Sequence, residues 1–220
     1  MSAMCSLNDE RGAFVDVGSG LRPNSRRVAT AFASHRLPIG APGFPMEHNP
    51  TKARPYRSTV RRAALAEVHD AIAIIREAAA WAAARGIDVW APREIREKAF
   101  EASARKAELL IGFADTTPAA TMLLQAEDPV YWPDEAPASA LYLHKVAVRR
   151  SFAGQGWLAC LIDFAVVEAS SASISRLRLD TILRPKLRLM YEQHDFRMLE
   201  EEPLFVNGKQ MIRMERILRS

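Results

Sequence analysis

The chain has little cysteine and no long apolar run, and both absences limit what it can be. Its 220 residues include only two cysteines, Cys5 and Cys160, so a disulfide framework and a paired-cysteine metal motif are excluded. No stretch approaches the roughly 18 uninterrupted apolar residues of a membrane-spanning helix. We therefore expect a protein of the reducing cytoplasm that has no metal and does not act at a membrane.

Net charge is the third thing that most of the chain lacks. Residues 1–57 hold 8 of the 30 Lys and Arg and 4 of the 26 Asp and Glu, which leaves 22 of each sign for residues 58–220. The formal charge of +4 therefore belongs to the first segment. Because nucleic-acid binding needs a broad basic surface, the neutral body predicts that no nucleic acid is a partner.

The first segment differs from the rest in composition as well as in charge. Residues 1–57 contain half of the 10 glycines and 6 of the 13 prolines, with no sustained helical or strand period. The segment also lacks the apolar stretch of a secretory signal. We expect a disordered extension over 1–57, with Met46 as an alternative start, and one folded domain over 58–220.

From Ser58 onward the apolar spacing predicts alternating strands and helices. Residues 57–63 indicate a short strand, and Leu65 begins a helical period over 64–84 that Gly86 should end. Pro92 indicates the start of a second helix, with Ile95, Ala99 and Ala102 on its buried face.

The remainder of the chain predicts more strands than helices. A hairpin turning at Asp115 to Pro118 precedes an irregular stretch, a long strand, a helix, a strand, a short helix and a hairpin turning at Asn207-Gly208. The predicted order is β-α-α-β-β-β-α-β-α-β-β. This order favours an α/β sandwich with a central mixed sheet and helices on both faces.

Gly154-Gln155-Gly156 lies in a loop between the long strand and its helix, and it satisfies two phosphate-binding patterns. It matches the dinucleotide fingerprint G-x-G-x-x-G/A, with Asp180 at the end of the next strand. However, the sequence "RRSFA" separates the first glycine from the strand end at Val148, and only 40 residues follow Asp180. The dinucleotide interpretation is therefore rejected.

The second pattern is carried by three segments in a fixed order. The segments "YLHKVAVRRSFAGQGWLACLIDFA", "LRLDT" and "LRLMYEQHDF" resemble the core of the GNAT acyltransferase superfamily. The resemblance covers about 58–220 and implies an α/β three-layer sandwich: a central mixed, mostly antiparallel sheet with helices on both faces. It also implies acetyl-CoA as co-substrate.

A glycine-bearing loop at a helix N-terminus offers converging backbone N–H donors to a pyrophosphate. The loop residues expected to bind CoA are Ala153, Gly154, Gln155, Gly156, Trp157 and Leu158. The resemblance further implies that the preceding strand, at Val146, Ala147 and Val148, pairs its backbone with the pantetheine arm. Arg149 and Arg150 would meet CoA phosphates or form a solvated basic pair.

The resemblance places Tyr191 as the acid that donates a proton to the CoA sulfur. Strand alternation predicts Tyr142, His144 and Val146 on one sheet face and Leu143, Lys145 and Ala147 on the other. Candidates for a general base are His144, Glu127 and Asp128, and His144 is preferred because histidine ordinarily titrates near neutral pH. A water chain without a side-chain base is the alternative. Asp195, where the family has glycine, should adopt the left-handed conformation.

The expected reaction is direct attack of a small-molecule primary amine on acetyl-CoA in a ternary complex. The alternatives are acetylation of a protein N-terminus or lysine, and a catalytically silent acyl-CoA-binding domain. The second helix, residues 128–137 and the final hairpin should form the acceptor pocket. In it Trp90, Tyr131 and Trp132 would be an aromatic wall or core packing. A homodimer is compatible with all of these interpretations.

Overall fold

The computed structural model describes residues 56–199, 202–206 and 208–219. The predicted disordered extension lies outside these residues except at its end. Tyr56 stacks on Trp157 with ring centroids 6.1 Å apart, and the Arg57 backbone N–H donates to Asp115 at 3.0 Å. Tyr56 and Arg57, the last two residues of the predicted extension, therefore contact the folded domain.

The described residues form eight strands and four α-helices. The strands are β1 (Ser58–Arg62), β2 (Leu109–Ala114), β3 (Thr117–Gln125), β4 (Leu141–Val148), β5 (Arg176–Ile182), β6 (Arg197–Met198), β7 (Leu204–Val206) and β8 (Lys209–Ile217). The helices are α1 (Val68–Ala83), α2 (Glu97–Arg105), α3 (Trp157–Ser171) and α4 (Pro185–Glu192). Short 3-10 turns precede α1, α2 and α3 at Leu65–Glu67, Pro92–Glu94 and Arg150–Phe152.

All eight strands belong to one sheet in the order β1-β2-β3-β4-β5-β8-β6, with β7 also paired to β8. The β4–β5 pair is parallel and the other pairs are antiparallel. Helices α1 and α2 cover one face of the sheet and α3 covers the other, with a buried apolar cluster on each side. The predicted mixed, mostly antiparallel sheet with helices on both faces is confirmed.

Several details differ from the sequence-based expectation. Leu65 lies in the 3-10 turn and is 49% exposed, so α1 starts later than its apolar period suggests. Pro92 likewise starts a separate turn, after which α2 buries Phe100 and exposes Ala102. The short strand β6 was not predicted. Asn207 of the final hairpin turn lies outside the described residues.

A β-bulge in β4 overturns the predicted alternation of its side chains. Thr121 pairs with Ala147 and Leu123 pairs with His144, so β4 carries one residue more than β3 between these pairs. Lys145 takes up the extra length with φ 51°. As a result Val146 packs in the α3-side cluster and Ala147 in the α1-side cluster, the reverse of the expectation.

No helix within the described residues is long and apolar enough to cross a membrane.

Candidate active site

Strands β4 and β5 separate halfway along their length. Their ladder joins Leu141, Tyr142 and Leu143 to Leu177, Arg178 and Leu179, and no further β4–β5 pair occurs in the described part of the chain. Yet β4 continues to Val148 and β5 to Ile182. The backbone edge of β4 that faces β5 is therefore open from His144 onward, and a ligand can add to it as a strand does.

The bulge at the start of this opening buries a lysine. The Lys145 side chain is fully buried, its Nζ lies 3.0 Å from Glu94 Oε2, and it sits 5.2 Å above the Trp90 ring. Burial lowers the pKa of the Lys145 ammonium below its ordinary range, and Glu94 opposes that shift. Although burial alone would raise it, the pKa of the Glu94 carboxyl is lowered, because the Lys145 ammonium stabilises its charge.

A second buried polar group spans the point where the strands separate. His144 Nδ1 lies 3.4 Å from Asp180 Oδ1, and His144 Nε2 lies 3.8 Å from Asp128 Oδ2. His144 is 1% exposed, Asp180 0% and Asp128 5%. We call these three residues the carboxylate–histidine cluster. It joins two of the three sequence candidates for the base, His144 and Asp128, with Asp180, whereas Glu127 is exposed on the surface.

The cluster contains the right residue types for a metal, with ligand atoms that all lie within 4.8 Å of one another. However, the two carboxylates face opposite nitrogens of the imidazole. An ion on one ring nitrogen would have one of these carboxylates beside it and the other behind the ring, which is fewer ligands than zinc usually takes from a protein. The arrangement suits the exchange of a proton better than the coordination of an ion.

The glycine loop lies at the far end of β4, where the strand gives way to α3. Gly154 has φ 79°, and Gly156 caps α3 with φ 76°, a left-handed conformation that glycine adopts without steric cost. A cavity of about 160 Å³ opens there. Its lining includes Val148, Ala153, Gly154, Gly156, Trp157 and Leu158 from the predicted CoA-binding set, together with Met190, Gln193 and His194 near the end of α4.

The predicted loop residues contribute to this cavity in different ways. Trp157 and Leu158 bury their side chains in the α3-side core, so they can offer a ligand mainly backbone N–H groups of the first helical turn. The Gln155 side chain is held by Tyr56 and by the Ser151 carbonyl, 3.0 Å from its Nε2. Val146 and Ala147 are buried in β4 and do not line the cavity.

A close contact with β2 fixes the start of α3. A Cβ placed on Gly112 would come within 2.7 Å of the Trp157 ring, so only glycine allows this ring to lie flat on the strand. The Trp157 Nε1–H donates to the Tyr56 hydroxyl at 3.1 Å on the other side. These contacts hold the α3 N-terminus, and with it the loop, against the edge of the sheet.

Two residues near the end of α4 differ in their relation to this cavity. Tyr191 is fully buried and its ring packs edge-on against Phe196 at 5.9 Å, whereas the next helical turn, at His194, lines the cavity itself. Burial lowers the pKa of the His194 imidazole, and Arg216 lowers it further against the opposing charges of Asp163 and Asp195. Asp195 has φ 64°, as predicted for the residue after this helix.

The basic pair after β4 is engaged by α1. Arg149 Nη1 lies 3.6 Å from Glu77 Oε2, and the Arg150 guanidinium lies 4.0 Å from the centre of the Trp81 ring. The Arg150 backbone N–H also donates to Glu77 at 2.7 Å. These contacts tie the loop to α1.

A second cavity, of about 370 Å³, lies on the α1 side of the sheet. It is enclosed by the segment before α2, the irregular stretch after β3 and the β7–β8 hairpin, and its charged lining residues are Asp88, Arg93, Glu94 and Lys209. The predicted acceptor pocket included helix α2, whereas this cavity is lined by residues of the segment before α2. Tyr131 lines this cavity, while Trp90 and Trp132 are buried in the α1-side core.

Sequence reasoning missed Glu94, Asp180 and His194 as members of these sites. Glu94 and Asp180 come from elements far from β4 in sequence, and only the folded sheet brings them to Lys145 and His144. His194 lies within the motif "YEQHDF", in which Tyr191 was the predicted site residue. Its position one helical turn after Tyr191 was the available signal.

We compared the chain with known protein families, curated proteins and solved structures. No family model matches the chain, and no curated protein matches it. Solved structures do match: an acetyltransferase of the GNAT family from Listeria monocytogenes aligns with a TM-score of 0.60 at 22% identity, over 73% of this chain and 95% of that one. PaiA N-acetyltransferase from Thermoplasma acidophilum, solved with coenzyme A, aligns with a TM-score of 0.57 at 14% identity, over 73% of this chain and 99% of that one.

The chain has the GNAT acetyltransferase fold. A third match is the N-acetylglutamate synthase of Neisseria gonorrhoeae, complexed with coenzyme A and N-acetyl-glutamate. It aligns with a TM-score of 0.54 at 18% identity, over 76% of this chain and 36% of that one. The GNAT fold therefore accounts for the element order and sheet of the described chain, as the three sequence segments predicted.

Proposed function

We propose that the protein transfers the acetyl group of acetyl-CoA to the primary amine of a small molecule, in a ternary complex. The observation that carries this proposal is the open edge of β4 beside β5, with the glycine loop at one end and a charged cavity on the α1 side. The edge suits the pantetheine arm, and the first turn of α3 suits the pyrophosphate. Two of the similar structures are complexes with coenzyme A, which supports this ligand.

The second cavity suits an acceptor of limited size. Its walls come from three separate segments, and its charged lining fits a polar amine better than an apolar one. One similar structure holds N-acetyl-glutamate, itself a small molecule. An amine entering there approaches the sheet beside Lys145, on the side where β4 and β5 are separated.

The reaction requires one bond to form, one bond to break and two protons to be transferred. The neutral amine nitrogen attacks the thioester carbonyl carbon and forms the amide bond, the C–S bond breaks, and the sulfur leaves as a thiolate. Tyr191 donates its hydroxyl proton to the thiolate, and His144 takes the proton lost by the attacking nitrogen. The products are the N-acetylated amine and free CoA, and the cycle closes when His144 releases its proton to solvent and solvent returns one proton to Tyr191.

Binding and turnover test this proposal in turn. Acetyl-CoA at millimolar concentration should raise the melting temperature, and the absence of any shift would refute an acyl-CoA site. A panel of small amines and peptides with acetyl-CoA should then give free CoA with at least one small amine. Turnover with peptides alone would assign the acceptor to proteins, and no turnover despite binding would indicate a silent domain.

Tyr191→Phe tests the acid. The variant should bind acetyl-CoA as the wild type does, because the ring and its packing on Phe196 remain. Its turnover should fall about 100-fold, the usual minimum contribution of a general acid. Unchanged turnover would remove Tyr191 from the mechanism.

A further inference from the structure

The carboxylate–histidine cluster has more hydrogen-bond acceptors than donors among the described residues. Both oxygens of Asp180 and the Oδ2 of Asp128 are buried and have no hydrogen-bond partner there. Buried carboxylate oxygens are costly to leave in this state. Two such groups beside one imidazole therefore carry a free-energy cost, and their geometry indicates how a proton would offset it.

The Asp128 side chain is held so that one oxygen faces the ring. Its Oδ1 accepts the backbone N–H groups of Val130 and Tyr131, at 3.1 and 3.2 Å. This turn fixes the carboxylate, and Oδ2 is left directed at His144 Nε2. The position of Asp128 is thus set by its own loop and does not depend on the histidine.

The ring of His144 lies closer to Asp180 than to Asp128, and the chemistry of imidazole limits how it can serve both carboxylates. A neutral imidazole has one N–H to donate and one nitrogen lone pair. Between two carboxylates, the N–H can serve only one of them. Neither contact has hydrogen-bond geometry, and we assign the N–H to Nδ1 because its contact with Asp180, at 3.4 Å, is shorter than the 3.8 Å contact of Nε2 with Asp128.

One added proton completes this arrangement. When Nε2 is protonated, the ring donates to both carboxylates, and the repulsion at Asp128 becomes a charge-assisted hydrogen bond. We propose that Asp128, His144 and Asp180 act as one proton acceptor for the acetyl-transfer reaction. Asp180 is a positioning residue that keeps Nδ1 protonated, and Asp128 receives the protonated Nε2.

The location of the cluster matches this role. His144 and Asp180 are the first residues beyond the last paired residues, Leu143 and Leu179, so their contact lies at the point where β4 and β5 separate. The inference rests on the proposed function, which places the thioester along the same open edge of β4. The proton leaves the attacking nitrogen as the amide forms and ends on Nε2.

Other charges surround the cluster and are largely paired with each other. They are Lys145 with Glu94, Arg178 with Glu135 and Glu215, and Arg213, whose Nη1 donates to the Tyr131 carbonyl. Asp180 also interacts with the Lys145 charge at longer range. A substitution outside the cluster can therefore serve as a control for general changes in local charge.

Steady-state kinetics across pH with the most active amine tests the inference. Asp180→Asn places an amide N–H opposite Nδ1, which forces the ring proton to Nε2, so kcat should fall about 100-fold while the KM for acetyl-CoA stays unchanged. Asp128→Asn removes a charge that favours the protonated ring. Its acidic limb of kcat/KM should therefore move to lower pH by about one pH unit or more.

Glu215→Gln is the matched control, since it also converts a partly buried carboxylate on the sheet to an amide. It should lose stability and leave the acidic limb in place. If Asp128→Asn and Asp180→Asn behave as Glu215→Gln does, the cluster has a structural role and the inference is overturned. One equivalent of zinc in the purified wild type that is absent from His144→Gln would overturn it as well.

A measurement without turnover separates this inference from the proposed function. In protein labelled with nitrogen-15 in its histidines, the His144 ring should be protonated at Nδ1 in the wild type and at Nε2 in Asp180→Asn. A ring protonated at Nε2 in both proteins would refute the cluster. If the labelled rings behave as expected but no amine is acetylated, the proposed function fails.

Discussion

The imidazole of His144 lies 3.4 Å from the carboxylate of Asp180, at the point where two parallel strands stop pairing. The contact between the two strands is thus made by these side chains where the backbone hydrogen bonds end, and beyond them the β4 edge is open. The bulge at Lys145 lies next to this contact and turns Val146 to the opposite face from the one its sequence position predicts. Strand separation and bulge together create a stretch of β4 at which an extended ligand can pair.

Gly156→Ala should weaken acetyl-CoA binding. Gly156 has φ 76°, and a side chain in the left-handed region costs about 1 kcal/mol or more. Relief of that strain would turn the first N–H groups of α3 away from the cavity. Isothermal titration should show acetyl-CoA affinity reduced about tenfold or more.

Gly86→Ala is the control for backbone strain alone. Gly86 has φ 68° and nothing within 4 Å of an added Cβ, and it follows α1 and does not line the cavity. Both variants should lose similar stability, but Gly86→Ala should bind acetyl-CoA as the wild type does. Equal affinities in all three proteins would show that the α3 N-terminus does not bind the ligand.

Affinity for acetyl-CoA should rise as the pH falls below neutral. Burial lowers the pKa of His194, so its ring is neutral in the unliganded protein at pH 7. A CoA phosphate bound in the adjoining cavity would raise that pKa, and binding would take up a proton. By linkage, the dissociation constant should become smaller as the pH is lowered, until the His194 ring is protonated in both the free and the ligand-bound protein.

His194→Gln supplies the reference for this pH dependence. The ligand phosphates titrate equally in both experiments, so the difference between the two affinity profiles isolates the histidine. The unliganded wild type should also lose stability relative to the variant below about pH 6.5, because its folded pKa lies below the unfolded value. Parallel affinity profiles would place the phosphates away from His194.

Much of the fold followed from local patterns in the sequence, and most of the site did not. The element order apart from β6, the glycine loop and the left-handed Asp195 are set by residues close in sequence, and each was predicted. The face of Val146 was predicted wrongly, because a bulge depends on how β4 pairs with β3. Strand alternation alone contains no sign of the one extra residue.

The contact partners of the site residues could not be predicted from the sequence for a related reason. His144 was predicted as a candidate base from its position in β4, but Asp180 reaches it only through the parallel pairing of β5. Asp180 instead satisfied a dinucleotide pattern in the sequence. The Lys145–Glu94 contact likewise joins residues 51 positions apart. Such contacts arise from the order in which the strands pair. A single sequence indicates that order only through its resemblance to a known family.

The Lys145–Glu94 pair gives a prediction about stability. Lys145 is buried with a positive charge that Glu94 compensates, so Glu94→Gln leaves that charge without its carboxylate. Removing one partner of a fully buried pair costs about 3–5 kcal/mol, and the partial exposure of Glu94 reduces the expected loss to about 2 kcal/mol. Urea unfolding of Glu94→Gln at neutral pH measures this loss.

The double variant Glu94→Gln with Lys145→Met shows whether the uncompensated charge is the cause. Methionine fills similar volume beside Trp90 without a charge to desolvate, so the double variant should recover most of the stability lost by Glu94→Gln. If the two substitutions simply add, Glu94 stabilises the turn before α2 through its other contact, with the Ala91 backbone N–H at 3.2 Å. The same cycle measured by turnover separates a structural pair from one that takes part in catalysis, because only the latter would leave the refolded double variant inactive.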